Sequence, residues 1–526
     1  MRTLVRHAHL LDGTGTAARP ADILLSGPVI EAVDAPGRIA ATDCAEIDAT
    51  GLIVAPGFID VHSHADNAPF LSDDDTSKVL QGVTTEVVGN CGFSLAPLTA
   101  EHEQEAKLLS QRIFPPLPWH WHTFADYLAE SDAAGHVTNQ APLVGHNSLR
   151  VGALGMSDAV ADEAALRRMG ELLDEALEAG AFGLSSGLAY PPGVFSGAAE
   201  LAALARRLPA GRPYTSHIRG EARSLPASIG EALDVGRRSG RRVQISHLKA
   251  AGRAQWGSMP GILTLLDRAR EEGVDVAQDV YPYTASSTML TATLPPWVQV
   301  GGKPAVLQRL CDPADRDRIR AALDVDDGSW ENPVAGAGWA GVVIASSRSG
   351  EFDGRSLQQI AEDCAIEPFD ALVRVLVTEE LEASMIVHSM CEQDLEAVLR
   401  HPLTMIGSDG LPPGLGGKPH PRMYGTFPRV LARYVAERKV LELPEAIRRM
   451  TSLPAATFGL TDRGSIRPGL AADLVAFDPA AVADTATYAD PVRAPRGLAW
   501  VRVNGVEIAR DGRYLGGRTG IRLRPA

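Results

Sequence analysis

Hydrophobic residues change their spacing along this chain. At the start they come in short runs broken by glycine, over 4–11, 21–27, 30–33 and 52–54, with Asp12-Gly13-Thr14-Gly15 as a turn. Runs of that length and spacing predict the strands of a small β-sandwich. The same texture returns near the other end, over 472–478 and 500–506. The two ends are therefore expected to pair into one small β-sandwich domain, residues 1–56 plus 462–526.

Between them the period alternates between two and 3.6. Apolar strand-like runs lie at 58–64, 84–91, 141–147, 181–187, 212–218, 243–248, 274–281 and 403–409. Amphipathic helices fill the gaps. The clearest covers about 160–179, where Ala164, Leu166, Met169, Leu172, Leu173, Ala176 and Leu177 fall on one face behind Ser157 and Asp158 as capping candidates. Others cover 225–239 and 258–273. Strands alternating with helices imply an α/β fold with parallel crossovers. Eight such strands, with no glycine-rich dinucleotide fingerprint, favour a closed (β/α)8 TIM-like barrel over 57–461 rather than an open doubly wound sheet.

The gap between the run ending at Tyr281 and the one ending at Asp409 is too long for a simple loop. Residues 285–345 are expected to form an inserted subdomain over the active site, with a strand at 341–345. Helices are expected at 356–364 and 369–377. The run Met385-Ile386-Val387-His388 is strand-like but finds no place in the barrel. Ser389-Met390-Cys391-Glu392 reads as a capping box that opens another helix.

Composition narrows the function. Of 526 residues, 45% are hydrophobic and 22% charged, which suits a large globular protein. The net charge of −15 comes from interspersed acids and bases, with no basic cluster among aromatics. That pattern argues against nucleic-acid and anionic-membrane partners and for a small-molecule substrate. Five widely spaced cysteines make no disulfide framework and suggest a reducing compartment. No apolar signal core and no run of transmembrane length is present, so a cytoplasmic location is expected.

The chemistry sits where the strand-like runs end. His62 and His64 are one residue apart, so a strand would point both imidazoles to the same face. Cys91, His217, His247 and Asp409 each close another run. Barrel enzymes keep their reactive groups at these strand ends, where residues from strands one, two, five, six and eight converge. Thiolate, imidazole and carboxylate together are a zinc ligand set. Asp60 lies one step deeper on the same face and is expected to support the ligands rather than join them.

With these residues the chain resembles the amidohydrolase superfamily, and within it the N-acyl-D-amino-acid deacylases, or D-aminoacylases. The residues that carry the resemblance are Gly57-Phe58-Ile59-Asp60-Val61-His62-Ser63-His64, Gly82-Val83-Thr84-Thr85-Glu86-Val87-Val88-Gly89-Asn90-Cys91-Gly92-Phe93-Ser94, Gly183-Leu184-Ser185-Ser186-Gly187-Leu188-Ala189-Tyr190-Pro191-Pro192, Ser246-His247-Leu248-Lys249 and Gly407-Ser408-Asp409-Gly410. The His-x-His pair marks only the superfamily; Gly-Asn-Cys-Gly-Phe-Ser is much more specific. The resemblance implies a tightly bound zinc on Cys91, His217 and His247. It implies a weaker second metal position lined by His62, His64 and Asp409. Many relatives bridge two metals with a carboxylated lysine on strand four; here 181–187 has neither Lys nor Glu, and the Cys91 thiolate supplies the anion instead.

The resemblance also implies hydrolysis of an amide to a carboxylic acid and a free D-amino acid, with Asp409 taking a proton from water and delivering it to the amine. It assigns Lys249, Tyr281 and Arg422 to the substrate carboxylate. Members that prefer acidic side chains carry an Arg after strand seven; this chain has Thr293-Leu294-Pro295-Pro296-Trp297 there, which points to a neutral or hydrophobic side chain. Tyr190 either contacts substrate or packs beside Pro191-Pro192.

Plainer readings hold elsewhere. His7 and His9 repeat the His-x-His spacing on a sandwich strand and are read as surface residues. His102, His136 and His401 are read as ordinary packed histidines. Trp119-His120-Trp121-His122 is loop packing. His146 is balanced between packing and supporting the site, and His388 is undecided. Cys44, Cys311, Cys364 and Cys391 are structural thiols. Two rival functions remain: a cyclic-amide hydrolase of the hydantoinase or dihydroorotase kind, which would want the missing strand-four lysine, and an inactive metal-binding scaffold, which would not need Asp409.

Overall fold

Parallel strands buried on both faces explain why the middle of the chain reads as continuous apolar runs. In the computed structural model, which describes residues 2–40, 42–325 and 328–525, eight of them form the barrel. They are β1 (Phe58–Asp60), β2 (Val83–Val88), β3 (Asn139–Pro142, continued by Val144–Gly145), β4 (Leu184–Gly187), β5 (Tyr214–His217), β6 (Val243–Ile245), β7 (Val276–Val280) and β8 (Thr404–Ile406). Parallel ladders run from β1 through β2 to β3, and from the continuation of β3 through β4, β5, β6 and β7 to β8.

The ring closes differently. Strands β1 and β8 share no ladder among the described residues; they meet just beyond their ends, through a bridge between Ser63 and Gly410. There Asp409 N donates to His62 O at 2.7 Å and His64 N to Gly410 O at 3.1 Å. Gly407 permits this approach, since a Cβ there would lie 2.6 Å from His62 Cβ.

Helices cover the outside of the barrel. The longest among the described residues is helix Glu163–Ala179, which buries Met169, Leu172, Leu173 and Ala176. Its cap is not Ser157 or Asp158 but Asp162, whose carboxylate accepts from Ala165 N at 2.8 Å, so the helix starts later than its apolar residues suggest. Helices Leu225–Ser239 and Met259–Glu271 lie where their patterns place them.

The two chain ends share one nine-stranded sheet. Strand Leu474–Phe477 pairs antiparallel with Ile53–Pro56, and Ile53–Pro56 pairs with Arg2–Leu10. Strand Ala45–Asp48 adds to Arg2–Leu10 although its sequence, Ala-Glu-Ile-Asp, shows little apolar content; all four residues are exposed or half-buried. Asp473 ties this sheet to the barrel. Its carboxylate accepts from Asn504 N at 2.7 Å, from Asn139 Nδ2 on β3 at 3.0 Å, and from Arg463.

The insertion over the barrel mouth reaches past residue 345. Its sheet has Ala383–Val387 at the centre, antiparallel to both Ser286–Met289 and Val342–Ser347. The run 385–388 thus finds its place outside the barrel. Helices Leu357–Cys364 and Pro368–Thr378 pack Ile360, Leu372 and Leu376 into a core that the insertion builds from its own residues. The capping box expected at Ser389 and Glu392 does not form. The N-cap of helix Glu392–Arg400 is Cys391 rather than Ser389, with no side-chain cap, so Glu392 is the first helical residue and its carboxylate accepts from Tyr434 Oη at 2.8 Å.

His146, left balanced by the sequence, belongs to the packing between barrel helices. Its Nε2 lies 2.7 Å from Glu200 Oε1, and Arg150 Nη1 lies 2.6 Å from Glu200 Oε2. Burial pushes the Glu200 carboxyl up, but His146 and Arg150 outweigh it and hold it below its ordinary 4.5. A depressed carboxylate stabilises the fold fully above its unfolded pKa and loses that contribution as pH falls through the folded one. Chemical denaturation should therefore find Glu200→Gln less stable than the parent near pH 7, with the gap shrinking as pH falls below the ordinary carboxylate range. A gap that does not change with pH would contradict this.

Candidate metal centre and active site

The loop after β2 presents the thiol. Gly89 and Gly92 have φ of 78° and 79°, and a Cβ at either would collide, with Leu143 O at 2.2 Å and with Gly187 N at 2.6 Å. Only glycine fits both places. Cys91 between them, His247 and Asp409 all have positive φ, at 54°, 37° and 49°. Such backbone is costly for residues with a Cβ and persists where the surroundings impose it. Ser185 of β4 braces the turn, accepting from Gly92 N at 3.0 Å and donating to Gly89 O at 2.5 Å. Strand β4 thus contributes a serine that supports the cysteine loop.

The six strand-end residues do converge. His62 Nε2 is 3.2 Å from Cys91 Sγ, which is 3.5 Å from His247 Nε2; that atom is 2.9 Å from His217 Nδ1. Asp409 Oδ1 lies 3.3 Å from His64 Nε2 and 3.5 Å from His62 Nε2. Two groups able to hold a metal result, Cys91–His217–His247 and His62–His64–Cys91–Asp409, with Cys91 common to both. All six residues are buried.

The far sides of the rings are held as well. His62 Nδ1 is 3.3 Å from Asp279 Oδ1, and His247 Nδ1 is 3.1 Å from Glu221 Oε1. One ring nitrogen toward a common point and the other toward a carboxylate is the arrangement of metal-bound imidazoles. The donor set of thiolate, imidazole and carboxylate fits zinc.

Electrostatics agree with the geometry. Burial pushes the Cys91 thiol up, but His62 and His247 hold it well below the usual thiol range. Burial likewise raises Asp409, while Arg422, His247 and His62 hold it well below the usual carboxylate range. Both are held deprotonated, as a thiol or a carboxyl must be to bind a metal.

The cluster opens into a cavity between the barrel mouth and the insertion. Lys249 and Tyr190 line it. Lys249 Nζ also contacts Glu221 Oε1 at 2.5 Å and His247 Nδ1 at 2.8 Å. The Tyr190 hydroxyl is 2.9 Å from Thr288 Oγ1 of the insertion, and its ring sits edge-on to His217. Tyr281 and Arg422 stand one layer back. Arg422 is fully buried, with Nη1 2.8 Å from Asp409 Oδ2, Nη2 donating to Ser287 O at 2.9 Å, and its guanidinium 4.4 Å above the Tyr281 ring. In this closed arrangement Arg422 serves Asp409.

His7 and His9 are exposed, Trp121 is core, and His388 sits edge-on to Tyr488.

Sequence reasoning missed Asp279, Glu221 and Glu331. Asp279 carried a signal, a carboxylate inside the apolar strand β7. Glu221 follows His217 by four residues in a loop whose path no periodicity reveals. Glu331 comes from the insertion. Its Oε2 accepts from Glu221 N at 2.8 Å, and burial pushes its carboxyl up to about 7.

A family model described as "Amidohydrolase family" matches residues 45–508. This chain belongs to the amidohydrolase family. The amidohydrolase is 38% identical to the N-acyl-D-glutamate deacylase of Alcaligenes xylosoxydans xylosoxydans over 95% of this chain and 92% of that one. It is 35% identical to the D-aminoacylase of the same organism, over 97% and 95%. The solved N-acyl-D-glutamate deacylase of Bordetella bronchiseptica, complexed with zinc and a phosphonate mimic of the tetrahedral intermediate, superposes with a TM-score of 0.81, at 37% identity and 99% coverage of both chains. No helix among the described residues is long and apolar enough to cross a membrane.

Because Asp279 faces His62, Asp279→Asn should weaken metal binding by roughly 10- to 100-fold. Competition against a chromophoric chelator measures it, and unchanged affinity would contradict the role.

Proposed function

We propose that this amidohydrolase is a zinc-dependent N-acyl-D-amino-acid deacylase that prefers neutral or hydrophobic side chains. One observation carries the reading. A buried thiolate, four imidazoles and a carboxylate meet at one end of a cavity that has no arginine among its described lining residues. Besides Asp409, the acidic groups of the wall are Glu331 of the insertion and the Lys249-paired Glu221, while Phe93, Ile113, Met289 and Leu411 supply apolar wall. An acidic side chain would meet like charge there; an aliphatic one would bury its surface.

Cys91, His217 and His247 would hold the tight zinc; His62, His64 and Asp409 would line a weaker second position beside the shared Cys91. Zinc, when bound, supplies Lewis acidity toward an amide carbonyl and makes water nucleophilic near neutral pH.

The chain's own residues do the rest. Asp409 is kept ionised by Arg422, so it accepts the proton of the attacking water at Oδ1 and returns it to the departing amine. Lys249 presents an ammonium to the substrate α-carboxylate, and Glu221 fixes its direction. Tyr281 and Arg422 reach the substrate only after rearranging; in the closed form they orient Asp409. Tyr190 shapes the wall beside His217 and joins it to the insertion through Thr288. The insertion roofs the cavity and keeps bulk water from the reacting amide.

The strand-four serines leave no bridging lysine for a cyclic-amide hydrolase. The paired and oriented Asp409 speaks against an inactive scaffold. The reduced Cys91 and the lack of any disulfide among the described residues support a cytoplasmic setting.

Kinetics on N-acetyl-D-leucine, N-acetyl-D-methionine and N-acetyl-D-glutamate, each beside its L-isomer, test the substrate reading. The D-leucine and D-methionine compounds should turn over best, and preference for glutamate or for L-isomers would overturn it. Asp409→Ala should retain the tight zinc while kcat drops by about a hundredfold or more. Retained turnover would remove Asp409 from the proton path.

A further inference from the structure

A fully buried ammonium lies beneath the site and takes no part in the chemistry described so far. Lys78, on the segment before β2, is 2% exposed. Its Nζ donates to Asp60 Oδ2 at 2.8 Å, Ser408 Oγ at 2.9 Å, Ser63 Oγ at 3.0 Å and Glu86 Oε2 at 3.3 Å. These partners come from β1, the segment after β8, the segment after β1, and β2. The residues between and beside them are His62, His64 and Asp409.

The position matters because β1 and β8 have no ladder to set their register. Asp60 replaces one. Its Oδ1 accepts from His62 N at 3.1 Å and from Ser408 N at 2.8 Å, and its Oδ2 accepts from Ser408 Oγ at 2.5 Å. Ser408 Oγ in turn accepts from Gly410 N at 3.0 Å. Glu86 Oε2 accepts from Ser63 Oγ at 2.6 Å, and its Oε1 accepts from Thr138 Oγ1 at 2.6 Å, which carries the network on toward β3. Burial disfavours the charged lysine, but Asp60 and Glu86 more than offset it and hold Lys78 above the usual range. A cation with four fixed partners in a dry interior has one arrangement, and removing it would strand two buried carboxylates.

We propose that Lys78 is a positioning residue that locks β8 against β1, so that Asp409 sits over His62 and His64. This rests on the deacylase reading only for the meaning of Asp409's placement; the placement itself is geometric.

The test is Lys78→Met, which keeps the length of the side chain and removes its charge, with Ser408→Ala as a gentler variant that deletes a single hydroxyl. Each is crystallised with zinc beside the parent and assayed on N-acetyl-D-leucine. The expected result has three parts. Cys91, His217 and His247 keep their places, Asp409 moves by about 1 Å or more from His64, and kcat falls by more than about tenfold while KM stays within about threefold. A folded variant in which Asp409 has not moved overturns the proposal, as does a kcat within about twofold of the parent. If Lys78→Met does not fold, the same readings on Ser408→Ala decide. A parent inactive on every N-acyl-D-amino acid would sink the deacylase reading, yet the crystallographic comparison would still judge Lys78.

Discussion

Packing a thiolate, a carboxylate and four imidazoles into one buried point is unfavourable unless the groups are held from behind. Unpaired charge in a dry interior is costly, and mobile ligands would drift toward other partners. In this chain four of the six have a fixed support. Asp279 stands behind His62, Glu221 behind His247, and Arg422 behind Asp409. Cys91 is held by backbone, on a turn that only glycine neighbours allow and that Ser185 braces. These supports let anionic ligands and imidazoles share one end of a cavity.

The fold supplies the supports from separate strands. Parallel ladders run from β1 round to β8, so Cys91, His217 and His247 inherit their spacing from the barrel itself. His62, His64 and Asp409 sit across the seam between β8 and β1, where two backbone hydrogen bonds and a set of side chains fix their spacing. The ligand groups therefore differ in how they are built. The Cys91–His217–His247 trio rests on regular hydrogen bonding of the strands, while His62, His64 and Asp409 rest also on a buried polar network around Asp60. Over both, the insertion contributes Thr288, Met289 and Glu331 to the cavity wall, so the cavity is walled jointly by barrel and insertion.

Much of this was legible beforehand. The eight strands were readable because parallel strands buried on both faces leave long apolar runs, and the ligands because each breaks such a run with a residue type the interior does not otherwise want. Other features were not. Ala45–Asp48 lacks apolar alternation because it is largely exposed. Ala383–Val387 was unplaceable because its partners lie about 40 and about 100 residues upstream in antiparallel pairing, which leaves no local mark. The supporting residues were mostly hidden for the same reason: Glu221, Glu331 and Lys78 lie in loops, where spacing carries no information about direction. Arg422 was legible as a cation near the site, but its pairing with Asp409 depends on side-chain geometry that no pattern encodes.

The most direct test of the whole account is zinc-edge anomalous diffraction from crystals of the zinc-loaded protein. The account predicts a strong peak bonded to the Cys91 sulfur, at about 2.3 Å, and shared with the imidazoles of His217 and His247. A strong peak elsewhere, or a Cys91 sulfur facing away from any metal, would contradict it.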